Sequence, residues 1–444
     1  MEQTAKKLIE TDKVYTNFYT FEGVVKALNG VCVQVNHGET YGLVGESGCG
    51  KSVTVRSMMQ IVQAPGVIEG GRILLFQDKE GERKGIDLLK RSNAYMRSIR
   101  GDDISMIFQE ASASLNPVLT IGYQIGESFL FHRRAEMLEK AIERIKTDLQ
   151  GKTLFPVKIW RKFQLSLLNK EHQTQLDYRE KVNKIDTRLY ELEEKTDARS
   201  MREKRRLNMQ RGEVSRFHPL SQFFKHVPFL SRYYKILHKI VKEEAVELLK
   251  TLGVPNSDNV VERYPHEISG GMQQRIVIAI ALACHPTMLI ADEPTSNLDV
   301  TIQAQIIELI KRLKETKISS VLFITHDLGL VSEICDRVTV MYAGDADETA
   351  KVKDLFANPL HPYTKALLNS VPKLNQKERL NTIPGTVPNL VRAPSGCRFH
   401  PRCPHAMDVC AKIKPRTIEY KPGHTVACHL YYDENEYQKE EGAK

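Results

Sequence analysis

Apolar positions along this chain follow two rhythms, and the switches between them mark its elements. Residues 8–44 alternate with the period of two that strands show: Leu8-Ile9-Glu10, then Val31-Cys32-Val33-Gln34-Val35. Thr40-Tyr41-Gly42-Leu43-Val44 reads as a short buried strand, and Val53 to Ile61 as the helix behind it. Ile73-Leu74-Leu75-Phe76 and Ile104-Ser105-Met106-Ile107-Phe108 read as further strands. From about Arg133 to Lys242 the character changes. Ala135 to Leu149 carries apolar residues at helical spacing, and Tyr178 to Arg211 is a charged helical stretch with few of them. Phe155, Trp160, Phe163, Phe223, Phe224 and Phe229 suggest that parts of this region pack. A helix running through Ile276–Cys284 is ended by Pro286, and Met288-Leu289-Ile290-Ala291 is another buried strand. The helix Val300–Lys314 and the strand Ser320–Thr325 follow. The whole predicts an α/β fold interrupted by a mostly helical insertion.

Composition narrows this picture. At 444 residues the chain exceeds one comfortable core and predicts two or three domains. A hydrophobic content of 41% supports a folded protein. The longest apolar run, Ile276 to Ala283, is far short of the ~20 residues that cross a bilayer. Met1 to Lys7 has no apolar core behind it, unlike a signal peptide. The expectation is a soluble, cytoplasmic protein whose membrane role, if any, needs a partner. A net charge of +9 allows contact with nucleic acid or anionic lipid. Much of it sits in Arg199-Ser200-Met201-Arg202-Glu203-Lys204-Arg205-Arg206, either a solvated helical face or a surface for lipid headgroups or an acidic partner.

The chemistry begins at Gly45-Glu46-Ser47-Gly48-Cys49-Gly50-Lys51-Ser52, which fits G-x-x-x-x-G-K-[ST] between a strand and a helix. Glycines let backbone N–H groups close on phosphate oxygens, and the helix N-terminus adds partial positive charge. Lys51 is expected to reach the β/γ-phosphates of a nucleoside triphosphate, and Ser52 to ligate Mg²⁺. Phe18, within the aromatic group Tyr15, Phe18, Tyr19 and Phe21, is favoured for stacking on adenine, with hairpin packing as the alternative. Gln109, at the end of a strand, is placed to meet Mg²⁺ and the attacking water. Ser269-Gly270-Gly271-Met272-Gln273 opens a helix and offers a second anion site. Asp292 and Glu293 end a buried strand: Asp292 to hold Mg²⁺ through water, Glu293 to polarise the attacking water. Ser296-Asn297-Leu298-Asp299 follows, and His326, at the next strand's tip, can donate to the γ-phosphate.

Of eight cysteines, Cys32, Cys49, Cys284 and Cys335 are scattered and read as inert, reduced residues. Cys397, Cys403, Cys410 and Cys428 cluster within 32 residues, separated by five, six and seventeen. Four such thiols suit a [4Fe–4S] cluster or tetrahedral zinc, or remain metal-free; missing C-x₂-C knuckles tilt the reading towards iron–sulfur. His400, His405, His424 and His429 keep a mixed ligand set open.

Taken together and in this order, Gly45–Ser52, Gln109, Ser269–Gln273, Asp292–Glu293, Ser296–Asp299 and His326 resemble the nucleotide-binding subunit of ABC transporters. Gln109-Glu110, Ser114-Leu115-Asn116-Pro117, Ser269-Gly270-Gly271-Met272 and the tail Asn358-Pro359-Leu360-His361-Pro362-Tyr363-Thr364 resemble the oligopeptide/dipeptide importer ATPases. The resemblance implies an ATPase domain in two parts, residues 1–132 and 243–350, around an inserted helical subdomain at 133–242. A small Cys-rich domain at 351–444 completes it. It implies ATP and Mg²⁺ as cofactors, with a cluster in some relatives. It also implies a head-to-tail dimer in which Ser269 and Gly271 serve the partner's ATP and Asp299 lies in the adjoining loop. Partners would be a second homologous ATPase subunit, two membrane permeases and an external substrate-binding protein, with this chain peripheral on the cytoplasmic face and no nucleic acid. The insertion departs from the family pattern, and Asp345-Ala346-Asp347 stands where apolar strand residues are usual. Alternatives are uptake of nickel or another small solute, or a non-transport ATPase acting on nucleic acid; sustained heptads, expected of the latter, are lacking in 135–240.

Overall fold

The computed structural model describes residues 6–79, 82–150, 155–192, 195, 197–214, 235–296, 298–316, 318–370 and 383–432. Asn297, Phe223, Phe224 and Phe229 lie outside the described residues. In chain order the strands are β1 (Lys7–Thr20), β2 (Gly23–Asn36), β3 (Thr40–Val44), β4 (Gly66–Lys79), β5 (Glu82–Asp87), β6 (Ile104–Ile107) and β7 (Met288–Asp292). They continue with β8 (Ser320–Thr325), β9 (Arg337–Tyr342), β10 (Asp345–Lys351), β11 (Ile418–Lys421) and β12 (His424–Val426). The chain divides into two compact units: Met1–Lys90 with Met288–Pro294 and Ile310–Lys444, and Arg91–Thr287 with Thr295–Leu309.

In the first unit, β2-β1-β4-β5 form an antiparallel sheet. A second sheet runs β11-β12-β10-β9-β3-β8-β7, of which β9, β3, β8 and β7 are parallel. Every residue of β3, β7 and β8 is buried. That explains why these strands read as continuous apolar runs: a parallel sheet is covered on both faces. Their shared direction brings the C-terminal ends of β3, β7 and β8 to one edge, where open α/β sheets hold ligands.

Strand β10 forms despite its acidic residues. Asp345 and Asp347 are buried. Asp345 accepts from Asn29 Nδ2 at 2.9 Å and is paired with Lys414 Nζ at 2.6 Å and Arg398 Nε at 3.5 Å. β12 also pairs with β10, joining Glu348 to Val426. The Asp345 carboxylate is thus matched by basic residues from the C-terminal region, whereas burial pushes the Asp347 carboxyl well above the usual carboxylate range.

The second unit is mainly helical. Arg134–Gln150 and Lys235–Thr251 carry buried faces that include Leu138, Ala141, Ile145, Leu237 and Leu249. The charged stretch forms two helices, Phe155–Glu191 and Ala198–Glu213, with Leu189, Leu192 and Leu207 in one apolar cluster. Trp160 and Phe163 meet with ring centroids 5.6 Å apart. Buried ion pairs fix these helices: Arg134 holds Glu171, and Arg211 holds Asp186 at 2.8 Å while donating to Ser98. Among the described residues, no helix is long and apolar enough to cross a membrane.

Candidate active site

The phosphate loop starts where β3 ends. Gly45, Gly48 and Gly50 have φ of 153°, 79° and 103°, conformations that L side chains rarely adopt. A Cβ on Gly45 would stand 2.1 Å from the Met341 carbonyl oxygen, so this position requires glycine twice over. The helix behind the loop, Lys51–Met58, is shorter than its apolar pattern, because Gln60 turns to φ 50° and breaks the spiral. Lys51 is buried and donates to the carbonyls of Gly45 at 2.8 Å and Glu46 at 3.0 Å, which folds its ammonium over the loop.

Ser52 donates to Asp292 Oδ1 at 2.9 Å. Asp292 is fully buried, and among the described residues its Oδ2 has no hydrogen-bond partner. Burial raises its pKa, partly offset by the Ser52 bond. A buried carboxylate oxygen left without a donor, beside a serine hydroxyl at a phosphate loop, is a donor set that suits a hard divalent cation. Glu293 follows at φ 48°, with its N–H bonded to the Ile324 carbonyl of β8 at 3.0 Å. Its carboxylate lies 3.3 Å from His326 Nδ1. Because β7 and β8 are in register from Met288↔Ser320 to Asp292↔Ile324, their tips deliver Glu293 and His326 to the same edge.

Phe18 is half-buried on β1, with its ring against Gly66 of β4. Nearby on the same strand, Thr16 bonds Ser57 of the helix behind the loop at 3.0 Å. Tyr15, Tyr19 and Phe21 are exposed, and Tyr19 is engaged by Glu69 at 2.6 Å.

In the second unit, Gln109 is linked to the following motif: its carbonyl accepts from Ser296 Oγ at 2.8 Å. Ser269 is exposed and extended, and the helix Gly270–Leu282 begins after it. The Ser269 side chain makes no capping bond. The helix ends before Cys284, because His285 takes φ 53° one residue ahead of Pro286. Gln273 Nε2 donates to the Pro265 carbonyl at 2.8 Å, fixing the turn that leads in. Asp299 caps the helix Val300–Thr316 by accepting from Ile302 N–H at 2.9 Å. Ile302 packs on Gly271, so the serine-glycine-glycine element and the Asp299 loop are neighbours.

A family description, ABC transporter, matches residues 28–296. The chain belongs to the ABC transporter family. A second description, oligopeptide/dipeptide transporter C-terminal region, matches residues 348–410. The oligopeptide transport ATP-binding protein AppD of Bacillus subtilis is 37% identical over 97% of this chain and 99% of its own length. The dipeptide transport ATP-binding protein DppD of the same organism is 36% identical over 96% of this chain and 95% of its own length. For the oligopeptide transport ATP-binding protein OppD of Escherichia coli the identity is 33%, over 96% and 94%. This ABC protein is therefore an ATPase of the peptide-importer branch. These names do not favour the nickel or nucleic-acid alternatives.

The ABC chain's four clustered cysteines line one small cavity together with His400, His405 and His429. Burial pushes the Cys397 and Cys403 thiols up, and Cys428 to about 12. Among the described residues, no group of three or more His, Cys, Asp or Glu stands in a metal-holding arrangement. Two residues that sequence reading did not connect to the loop touch Glu46: Tyr363 and Arg402. No local signal marks them, since they lie 317 and 356 positions further along the chain.

Proposed function

We propose that this chain energises uptake of oligopeptides or dipeptides by closing on ATP against a second, homologous ATPase subunit and opening on hydrolysis. The observation that carries the catalytic part is the Ser52–Asp292 pair with its unpartnered buried oxygen, standing beside Glu293 and His326 at one sheet edge. Lys51 and the loop amides bind the β/γ-phosphates, and Ser52 and Asp292 hold Mg²⁺, which neutralises phosphate charge. Glu293 takes the proton of the attacking water, and His326, held by Glu293, donates to the γ-phosphate. Phe18 stacks on adenine, and Gln109 senses the Mg²⁺ and water. Ser269, Gly270, Gly271, Met272 and Gln273 present hydroxyl and N–H groups to the ATP of the partner ATPase. Asp299 holds the adjoining turn. Two permeases bind on the membrane side, so the chain sits peripherally on the cytoplasmic face, and an external binding protein delivers peptide.

The test is Glu293→Gln, whose amide keeps the shape but cannot act as base. Hydrolysis by the assembled complex should fall by about 10²–10⁴ with ATP binding intact. Wild-type turnover would remove Glu293 from the role. For Cys397, Cys403, Cys410 and Cys428 the proposal rests on the donor set and the shared cavity: a [4Fe–4S] cluster of structural role. Iron analysis of anaerobically purified protein checks it, and protein with neither iron nor zinc leaves ordinary thiols.

A further inference from the structure

The phosphate loop is held from the far end of the chain by contacts that the ATP motif itself does not explain. Arg402 reaches Glu46 through two parallel bonds, Nη1 to Oε2 at 2.8 Å and Nη2 to Oε1 at 3.2 Å. This fork-on-carboxylate geometry is the strong, directional form of an ion pair. The Arg402 side chain is only 6% exposed and that of Glu46 27%, so water reaches the pair mainly from the carboxylate side. Its remaining donors are used too: Nε bonds the Pro384 carbonyl at 2.8 Å, and Nη1 also bonds the Tyr342 hydroxyl at 3.1 Å. On the main chain of the same loop residue, Glu46 N–H donates to the Tyr363 hydroxyl at 2.9 Å.

The platform beneath these two side chains is rigid. Tyr342, Tyr363 and Phe399 form one buried aromatic cluster with centroids 4.7–5.3 Å apart. Phe399 lies three residues before Arg402, in a short turn closed by Arg402 N–H to the Phe399 carbonyl at 2.9 Å. A second brace reaches the other end of the loop. Gly344 N–H bonds the Cys49 carbonyl at 2.8 Å, and Arg398 grips the carbonyls of Ala343 and Lys26.

Glu46 is an acidic residue on a loop built to receive a polyanion. Left unpaired, its carboxylate would repel the incoming phosphates and leave the loop's first half unanchored. We propose that Arg402 and Tyr363 are positioning residues for ATP: they clamp Glu46 by side chain and main chain, fix the first half of the phosphate loop, and cancel its negative charge. The Cys-bearing C-terminal segment is thereby a working part of the nucleotide site. This deepens the reading of Gly45–Ser52 as the ATP loop and rests on it.

The test titrates Mg²⁺ with a fluorescent ATP analogue against the purified full-length chain and its variants. Lys51→Ala checks the underlying reading by losing affinity. Arg402→Met should weaken affinity by about tenfold and Tyr363→Phe by about threefold. Arg402→Lys keeps the charge but not the fork and should fall between wild type and Arg402→Met. The diagnostic variant is Glu46→Gln combined with Arg402→Met. Removing the stranded carboxylate should recover most of the loss, which mere damage to packing would not allow. If Lys51→Ala loses affinity while folded Arg402→Met and Tyr363→Phe bind like wild type, the clamp is overturned and the ATP loop stands. A loss in Arg402→Met of which the double variant recovers no part also overturns it. Should Arg402→Met fail to fold, Tyr363→Phe, which removes one hydroxyl, decides alone by the same criterion. Wild-type affinity in Lys51→Ala would instead overturn the loop reading beneath.

Discussion

At the residue scale, Asp292 is a carboxylate whose surroundings do not favour its charge. Its carboxylate is fully buried with one oxygen unpartnered, and burial holds its pKa above the ordinary 3.8. The native chain therefore keeps this proton where the unfolded chain has lost it. That contribution to stability is fully present below pH 3.8 and is lost as pH rises through the raised native value. At neutral pH without metal, the group is a liability that a bound cation would relieve. Asp292→Asn should thus be no less stable than wild type in EDTA at pH 7, with a gain on the order of 1 kcal/mol. In the same variant Mg²⁺ should no longer strengthen ATP binding. A chemical-denaturation series with nucleotide titrations checks both halves. A destabilised variant that still responds to Mg²⁺ would place the cation elsewhere.

At the scale of elements, the parallel strands and the motif helix were readable because each signal is local. A buried strand is a short apolar run, and a phosphate loop is a fixed spacing of glycines, Lys51 and Ser52. What was not readable depends on distant chain. Asp345 looked wrong for a strand because Asn29, Arg398 and Lys414, its partners, are remote in sequence. The Tyr363 and Arg402 contacts with Glu46 were invisible for the same reason. Helix ends slipped where single residues, Gln60 and His285, take positive φ, which apolar periodicity does not encode. The insertion illustrates both cases. Its helical character was legible at Ala135–Leu149 and Tyr178–Arg211, but not the helix Lys235–Thr251, nor that Arg134–Gln150 packs against it and belongs to the unit's core. A deletion that spares this packing is accordingly confined to the segment between Gln150 and Lys235. Joining Gln150 to Lys235 by a Gly/Ser linker removes the helices Phe155–Glu191 and Ala198–Glu213 and spares that packing. ATP affinity should stay within about threefold of wild type. A collapse of affinity in a folded product would make the removed helices part of the nucleotide site.

At the scale of the whole molecule, the most telling feature is a glycine that its own chain does not require. Among the described residues, a Cβ on Gly270 would meet nothing within 4 Å, and its φ is not among the positive values. Gly45 is the contrast, hemmed in by Met341 and held at φ 153°. Gly270 also opens a helix of 13 residues, where alanine is the better helix former. Exposed Ser269 beside it leaves its hydroxyl out of the helix cap. An open position, with no strain and no packing demand, points to a constraint imposed from outside the chain. On the proposed head-to-tail assembly that constraint is the ATP of the partner ATPase, approached too closely for a side chain. Gly270→Ala should then leave the isolated chain's unfolding midpoint and ATP affinity unchanged. In the complex assembled with permeases and partner ATPase, the same variant should lower ATP turnover by at least about tenfold. Both measurements are needed, because a fold defect would appear in the first and a lost contact in trans only in the second. Unimpaired turnover in the assembled complex would mean that the partner's nucleotide does not come close to this end of the helix.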